Sequence, residues 1–261
     1  MTNQTFQDKT VLVTGSGRGI GKAIALHFAR LGANIVVNFF RNRKPAEETA
    51  TEIEKLDRQA LVVKANVGDT EAILDIFSQT KEYFGGLDIF VSNAASGFNR
   101  PVMEQKVKGW DWTMDINARA FLFAAQQAVA LMESRGGGHI VAITSPGGER
   151  VLPDYVLVGA SKAALNALTR YMAVELAERN IRVNAVSPGV VATDVIQHFD
   201  TLSEEGILEK IASATPAGRL VTPEDVAGVV AFLCTPEADM IRGQIITVDG
   251  GLTLPLKTTN L

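Results

Sequence analysis

Hydrophobic and polar residues alternate along this chain in two distinct ways. Short runs rich in valine and isoleucine are followed by longer segments in which apolar residues recur every three or four positions. Runs of the first kind are typical of buried strands, and segments of the second kind are typical of amphipathic helices. The predicted strands are Thr10 to Thr14, Asn34 to Phe39, Ala60 to Ala65, Leu87 to Ser92, Gly138 to Thr144, Arg182 to Ser187 and Gln244 to Val248.

The segments between these strands are predicted to be helices. They are Ile20 to Leu31, Pro45 to Leu56, Thr70 to Phe84, Trp110 to Ser134, Tyr155 to Glu178 and Pro223 to Leu233. Strands and helices that alternate in this way predict an α/β fold, a single-domain, Rossmann-type doubly wound sheet of about seven parallel strands with helices on both faces, spanning residues 1–261. Ligands of such sheets bind at the carboxyl ends of the strands.

One segment, Val190 to Thr215, does not fit the alternation. It mixes apolar residues with acidic and small ones. A segment of this length without a regular pattern is predicted to be a mobile substrate loop, although a plain surface insertion fits the pattern nearly as well.

Composition narrows the function classes. A hydrophobic content of 46% is ample for a buried core, and a formal net charge of -4 gives no reason to expect nucleic acid or an anionic membrane as a partner. No signal sequence and no apolar run of about 18 residues is visible, so the protein is expected to be cytoplasmic. The single cysteine, Cys234, lies in an apolar helical stretch and is interpreted as a core residue. No metal site is predicted.

A glycine-rich turn follows the first predicted strand. It reads Thr14-Gly15-Ser16-Gly17-Arg18-Gly19-Ile20-Gly21 and leads directly into a helix. Glycines allow a sharp turn and a close approach of the backbone to a pyrophosphate, and the helix N-terminus offers free N–H donors to the phosphates. The turn therefore predicts a dinucleotide site.

The end of the second strand indicates which dinucleotide binds. NAD sites usually place an acidic residue there for the ribose 2'-hydroxyl, but this chain has Asn38 and then Arg41. A guanidinium can bind a 2'-phosphate through two charge-assisted hydrogen bonds, whereas a carboxylate would repel it. Arg41, assisted by Arg18, predicts NADPH; the alternative is an ordinary solvated basic turn.

The glycine spacing, Thr14-Gly-x-x-x-Gly-x-Gly21, resembles the short-chain dehydrogenase/reductase family. Further matches in the same order are Ser92 to Ala95, Asn117, Ser145, Gly159 to Lys162, Asn184 to Gly189 with Thr193, and Val248 to Gly251. The resemblance implies that cofactor-binding residues are Gly15, Ser16, Arg18, Gly19, Ile20, Arg41, Asn66, Val67, Asn93, Lys162 and Thr193. Within this set it implies that Asn66 and Val67 border the adenine, that Asn93 lines the cofactor cleft, that Lys162 binds the nicotinamide ribose, and that Thr193 lies near the carboxamide or phosphates.

One departure from the main branch of that family concerns the catalytic tyrosine. Main-branch members carry Tyr-x-x-x-Lys, but position 158 is valine, and the nearest tyrosine is Tyr155, which gives Tyr-x6-Lys with Lys162. This spacing resembles the NADPH-dependent enoyl-[acyl-carrier-protein] reductases of the short-chain-dehydrogenase-like bacterial type. Four further segments look like that type: 93–97, 100–104, 110–114 and 238–244. The resemblance implies reduction of trans-2,3-enoyl thioesters in fatty acid biosynthesis, with the substrate on acyl carrier protein or CoA, and a homotetramer.

The shifted tyrosine also has a chemical explanation. In ketone reduction the hydride reaches the carbonyl carbon itself, but in enoyl reduction it reaches the β-carbon and charge develops on a thioester oxygen two carbons away. Three helical residues rise by roughly 4.5 Å, a distance comparable to that between the two oxygens. Residues three apart also share a helix face, so a tyrosine at 155 can still approach the substrate.

These residues predict a division of catalytic roles. Tyr155 is expected to hydrogen-bond the enolate oxygen, and Lys162 is expected to orient the cofactor and lower the pKa of Tyr155. Ser145 lies 13 positions before Val158, which resembles the family's usual serine-to-tyrosine interval. It either polarises the substrate or orders a water, or it only forms a turn. Asn117 either anchors a water chain to Lys162 or is a structural residue.

Other interpretations remain open. The protein could be a short-chain dehydrogenase that acts on a ketone or alcohol, like a 3-oxoacyl reductase, or a catalytically silent NADP-binding sensor. Arg100, Lys106 and Lys108 are candidates for docking an acidic carrier protein, but they could equally form a solvated charged face.

Overall fold

The computed structural model describes residues 5–193 and 206–254. Its strands are β1 Thr10–Val13, β2 Asn34–Phe39, β3 Ala60–Lys64, β4 Ile89–Ser92, β5 Gly138–Ile143, β6 Ile181–Pro188 and β7 Ile245–Val248. They form one sheet in the order β3-β2-β1-β4-β5-β6-β7, and each strand is parallel to its neighbours. The predicted doubly wound, Rossmann-type sheet is confirmed.

The central strands are buried on both faces, which explains their continuous apolar runs. In β1, Val11 and Val13 face one core and Leu12 faces the other, and all three are 0% exposed. Because successive side chains of a strand point to opposite faces, three consecutive residues contribute to two helical layers.

The helices are α1 Gly19–Arg30, α2 Arg43–Glu54, α3 Thr70–Phe84, α4 Val107–Met114, α5 Ala120–Glu133, α6 Val156–Glu175, α7 Ile207–Ala214 and α8 Pro223–Phe232. Buried residues of α1, α2 and α8 belong to one core, and those of α3, α5 and α6 belong to the other. Short 3₁₀ turns lie at Val102–Glu104, Pro146–Gly148, Ala177–Arg179 and Pro236–Ala238. No helix within the described ranges is long and apolar enough to cross a membrane.

Two predicted segments differ from the structure in more than their end residues. The single helix expected over Trp110 to Ser134 is instead α4 and α5 joined by a π-helical turn, Asp115–Arg119. Such turns insert an extra residue into a helix, and apolar periodicity does not reveal them. Within Val190 to Thr215, the structure places α7 at the C-terminal part, while residues 194–205 of the predicted substrate loop lie outside the described residues.

Candidate active site

The turn between β1 and α1 has the geometry that its glycines predicted. Gly15 and Gly19 have φ values of 66° and 55°, a region that favours glycine. A Cβ on Gly21 would collide with the Gly15 carbonyl oxygen. The absence of side chains therefore lets the start of α1 pack directly on the turn.

Ser16 holds this turn together from inside the protein. It is 0% exposed, and its hydroxyl donates to the Val13 carbonyl at 2.7 Å and accepts from the Asn38 N–H at 3.1 Å. The hydroxyl thus joins the ends of β1 and β2, and contact between Ser16 and the cofactor stays a prediction.

Asn93, at the end of β4, closes the other side of the turn. Its amide donates to the Thr14 carbonyl at 2.8 Å and to the Gly15 carbonyl at 3.3 Å. The Thr14 hydroxyl in turn accepts the Asn93 and Ala94 N–H groups, each at 3.0 Å. The carboxyl ends of β1 and β4 are thus tied into one rim of the expected cofactor cleft.

The described residues fit a dinucleotide. Helix α1 begins at Gly19 with no side-chain cap on its free N–H groups, which suits a phosphate. Thr193 packs within 3.7 Å of a Cβ placed on Gly19, so a residue 174 positions away borders the same helix end. A cleft of about 220 Å³ lies here, lined in part by Arg18, Gly19 and Thr193.

The residues expected around the adenosine lie at strand ends. Arg41 is exposed, lies over the Phe40 ring at 5.9 Å, and makes no ion pair with any described residue. Asn66 and Val67 follow β3; the Asn66 side chain accepts the Gly68 N–H at 3.1 Å, and Val67 is buried. Ile20, in the first turn of α1, is partly buried against the core.

Tyr155 and Ser145 come together in the structure. Tyr155 is the residue immediately before α6, rather than part of the helix as expected, and its carbonyl accepts the first helical hydrogen bond from Gly159 at 2.7 Å. Its phenol donates a long hydrogen bond of 3.4 Å to Ser145 Oγ, at the carboxyl end of β5. Both hydroxyls therefore lie at the edge of the sheet where substrate is expected.

A glycine leaves room for the Tyr155 ring. A Cβ on Gly147 would lie 2.5 Å and 2.6 Å from two ring carbons of Tyr155. No side chain can be accommodated at position 147 at those distances. The Tyr155 ring therefore packs directly on the backbone of the 3₁₀ turn Pro146–Gly148.

The expected lowering of the Tyr155 pKa is not found. Burial raises the pKa of this phenol, and the hydrogen bond with Ser145 opposes the rise. Lys162 does not contribute. A phenol that stays protonated is a hydrogen-bond donor, which is the role that Tyr155 is predicted to have.

Lys162 is a buried residue of α6. Its exposed fraction is 5%, and Nζ donates to the Ile143 carbonyl at 2.8 Å. Burial lowers its pKa from 10.5 to about 8. An ammonium has three donors, so two remain for the ribose hydroxyls that the resemblance assigns to Lys162.

Asn117 has a structural role in this chain. It accepts the Ser96 N–H at 2.8 Å and donates to both the Ser96 carbonyl and Ser161 Oγ at 2.9 Å. These bonds join the π-helical turn to the loop after β4 and to α6. These bonds fit the structural alternative, and a water chain from Asn117 to Lys162 stays a prediction.

Two residues that support the site were not singled out from the sequence. Asn38 accepts the Gly15 N–H at 3.1 Å through its side chain and the Ser16 N–H at 3.0 Å through its carbonyl. Gly147 seats Tyr155, as described above. The sequence signals were that Asn38 lies near the end of a predicted strand and that Gly147 follows a proline. Both residue types are common in ordinary turns, so neither signal indicated a role in the site. The described residues contain no cluster of His, Cys, Asp or Glu suited to a metal ion.

Comparison with known proteins shows how widely this arrangement occurs. A family model described as "Enoyl-(Acyl carrier protein) reductase" matches residues 15–253. A 7α-hydroxysteroid dehydrogenase solved with NADH and 7-oxo glycochenodeoxycholic acid superposes with a TM-score of 0.90 at 34% identity, covering 95% of this chain and 96% of that one. The chain belongs to the short-chain dehydrogenase/reductase family.

Other members of the short-chain dehydrogenase/reductase family act on varied substrates. The 1-cyclohexenylcarbonyl-CoA reductase of Streptomyces collinus is 38% identical over 93% of this chain and 86% of its own length. The L-sorbose reductase of Gluconobacter frateurii, solved with NADPH and L-sorbose, has a TM-score of 0.90 and 31% identity, covering 98% of this chain and all of that one. This short-chain dehydrogenase/reductase is therefore an oxidoreductase.

Proposed function

We propose that the protein is an NADPH-dependent enoyl-[acyl-carrier-protein] reductase that reduces the trans-2,3 double bond of enoyl thioesters in fatty acid biosynthesis. The observation that carries the proposal is the position of the phenol. Tyr155 stands next to Ser145 at the carboxyl end of β5, whereas position 158 is a valine that is 7% exposed. The description of the family model supports this activity, and so does the CoA thioester in the name of the Streptomyces relative.

In the proposed reaction, NADPH supplies a hydride to the β-carbon of the enoyl thioester when bound. Negative charge then develops on the thioester oxygen, and Tyr155 stabilises this enolate by donating a hydrogen bond. A proton from solvent then adds to the α-carbon and completes the reduction. A phenol is protonated at neutral pH, and burial raises the pKa of Tyr155 further. Ser145, as acceptor of the Tyr155 hydrogen bond at 3.4 Å, orients the phenol before substrate arrives.

Lys162 is proposed to bind the cofactor next to Tyr155 and Ser145. Its side chain is buried, and the hydrogen bond to the Ile143 carbonyl holds Nζ at the carboxyl end of β5. We propose that its free donors bind the ribose hydroxyls and so position the nicotinamide, and that its charge favours the anionic side of the reaction.

A paired assay tests the activity. NADPH oxidation is followed first with a crotonyl thioester and then with an acetoacetyl thioester. Oxidation with the crotonyl thioester alone supports the proposal. Oxidation with the acetoacetyl thioester alone supports the second candidate, a ketone reductase, which the 7-oxo steroid bound in a solved neighbour favours. Oxidation with neither supports an NADP-binding sensor.

The choice of NADPH is proposed from the exposed Arg41, which has no carboxylate partner among the described residues. Replacing Arg41 with Ala should lower kcat/KM for NADPH by about 10-fold or more and leave that for NADH unchanged, because only NADPH has a 2'-phosphate to bind. Arg43→Ala is the matched control, since Arg43 pairs with Glu47 at 3.0 Å. Wild-type preference for NADH would contradict this assignment.

We also propose acyl carrier protein as the substrate's carrier. Lys106 and Lys108 are exposed and Arg100 is half-buried, and none of the three pairs with a described carboxylate. These unpaired positive charges would attract an acidic carrier protein. Lys106→Glu with Lys108→Glu should raise KM for the carrier-bound substrate and not for the CoA substrate. Equal effects on both would indicate a solvated charged face.

A further inference from the structure

The loop that follows β4 lies directly on the start of α6. The Gly97 backbone has φ 156°, and a Cβ placed there would overlap Cγ2 of Val158. Val158 is buried beneath it and occupies the position where main-branch members of the family carry their tyrosine. The Gly97 backbone is therefore in direct contact with the Val158 side chain, and the loop lies against position 158.

The same loop also fixes the turn that presents Tyr155. Arg100 N–H donates to the Asp154 carbonyl at 2.7 Å. Asp154 has φ 57°, a left-handed conformation that non-glycine residues adopt at a cost. The hydrogen bond from Arg100 helps to hold this turn, and the next residue in the chain is Tyr155.

The loop is itself anchored at several points. Ser96, which precedes Gly97, makes two backbone hydrogen bonds with the Asn117 side chain, and its hydroxyl accepts from Trp112 Nε1 at 2.9 Å. Because the loop is tied to α4 and to the π-helical turn, it cannot easily withdraw from Val158.

We infer that Gly97 is a specificity-determining residue: its backbone closes position 158 to a phenol and thereby confines the hydrogen-bond donor to Tyr155. This inference rests on the proposed function, in that it takes Tyr155 as the group that serves the substrate oxygen. Gly97 acts by positioning and does not itself touch the reacting atoms.

The first test moves the phenol. A Tyr155→Phe/Val158→Tyr double variant is assayed with crotonyl and acetoacetyl thioesters, with Tyr155→Phe/Val158→Phe as the control for bulk. If Gly97 closes position 158, the new phenol gains no acetoacetyl-thioester reduction over the control, and both variants lose thermal stability because the core is overpacked. Acetoacetyl-thioester reduction at a rate close to the wild-type crotonyl rate would overturn the inference.

The second test examines the contact itself. Gly97→Ala should lower kcat with crotonyl thioester by about 10-fold to 100-fold, because the clash displaces the start of α6. Adding Val158→Ala, which removes the opposing methyl groups, should restore part of kcat. Adding Thr113→Ser should not restore kcat. Thr113 Cγ2 lies 3.5 Å from a Cβ placed on Gly97, which is an ordinary contact distance. Equal effects of the two second substitutions would overturn the inference.

The two tests remain informative if the enzyme reduces a different substrate. Failure of the wild type to oxidise NADPH with crotonyl thioester would count against the proposed function alone. The coupling between Gly97→Ala and Val158→Ala can still be measured from their melting temperatures, and additive changes would show that the two residues do not interact.

Discussion

Tyr155 is the residue on which the proposed chemistry depends. Its hydrogen bond to Ser145 is long, at 3.4 Å, so the phenol can turn to a better acceptor when an enolate oxygen is nearby. Replacing Tyr155 with Phe should lower kcat by about 10²- to 10⁴-fold and leave the Kd for NADPH nearly unchanged. Tyr83→Phe, at an exposed position of α3, is the control. An unchanged kcat for Tyr155→Phe would mean that another group serves the oxygen.

Lys162 should make the stability of the protein without cofactor depend on pH. Its pKa is about 8 when folded and near 10.5 when unfolded, so between these values the unfolded chain binds more protons. The contribution of Lys162 to the unfolding free energy therefore becomes more favourable to the folded state as the pH increases from about 8. We expect the difference in unfolding free energy between wild type and Lys162→Met, measured in urea, to shift in favour of the wild type between pH 7.5 and pH 9.5, values chosen to bracket the folded pKa.

The comparison with Lys162→Met removes the effects of other groups. Burial raises the pKa values of Cys234 and Tyr155. Both groups therefore lower the unfolding free energy as the pH rises, and they do so equally in the wild type and in Lys162→Met. A difference that is independent of pH would show that Lys162 is not held in a desolvated site.

At the scale of elements, α8 has the most complete helix start. The Thr222 hydroxyl accepts the Asp225 N–H at 3.2 Å, and the Asp225 carboxylate accepts the Thr222 N–H at 2.8 Å. Thr222→Ala should lower the unfolding free energy by about 1 kcal/mol, because one N–H loses its acceptor. Thr222→Ser keeps the hydroxyl and should lose much less in the same denaturant titration. Equal losses would indicate that the threonine methyl group, and not the cap, provides the stability.

The elements also differ in how far the sequence predicts them. The strand β2 and helix α3 match their predicted bounds, because each is a clear periodic run with turn residues beside it. The break between α4 and α5 was missed, since the residues of the π-helical turn continue the apolar pattern. What maintains this turn is the bonding of Asn117 to Ser96 and Ser161, which are distant in the sequence.

At the scale of the whole molecule, we propose a homotetramer. Tyr171 and Val174 lie three residues apart on α6 and are 66% and 77% exposed, so they form an exposed apolar face on that helix. Sedimentation should give the mass of four 28.0 kDa chains. Val174→Glu should lower that mass, because burying a charge in an interface is costly. Tyr83→Glu, at another exposed apolar position, should leave it unchanged; a monomeric wild type would contradict the proposal.

The sequence by itself determined the parallel α/β sheet, the glycine turn, the family and the Tyr155 to Lys162 spacing. These features depend on residues close together in the chain, where local periodicity and turn chemistry act directly. Only the tertiary structure decided that Gly97 covers Val158, that Gly147 seats the Tyr155 ring and that Ser16 is buried. Gly97 and Val158 are far apart in sequence, and all three features depend on how helices and loops pack on the sheet.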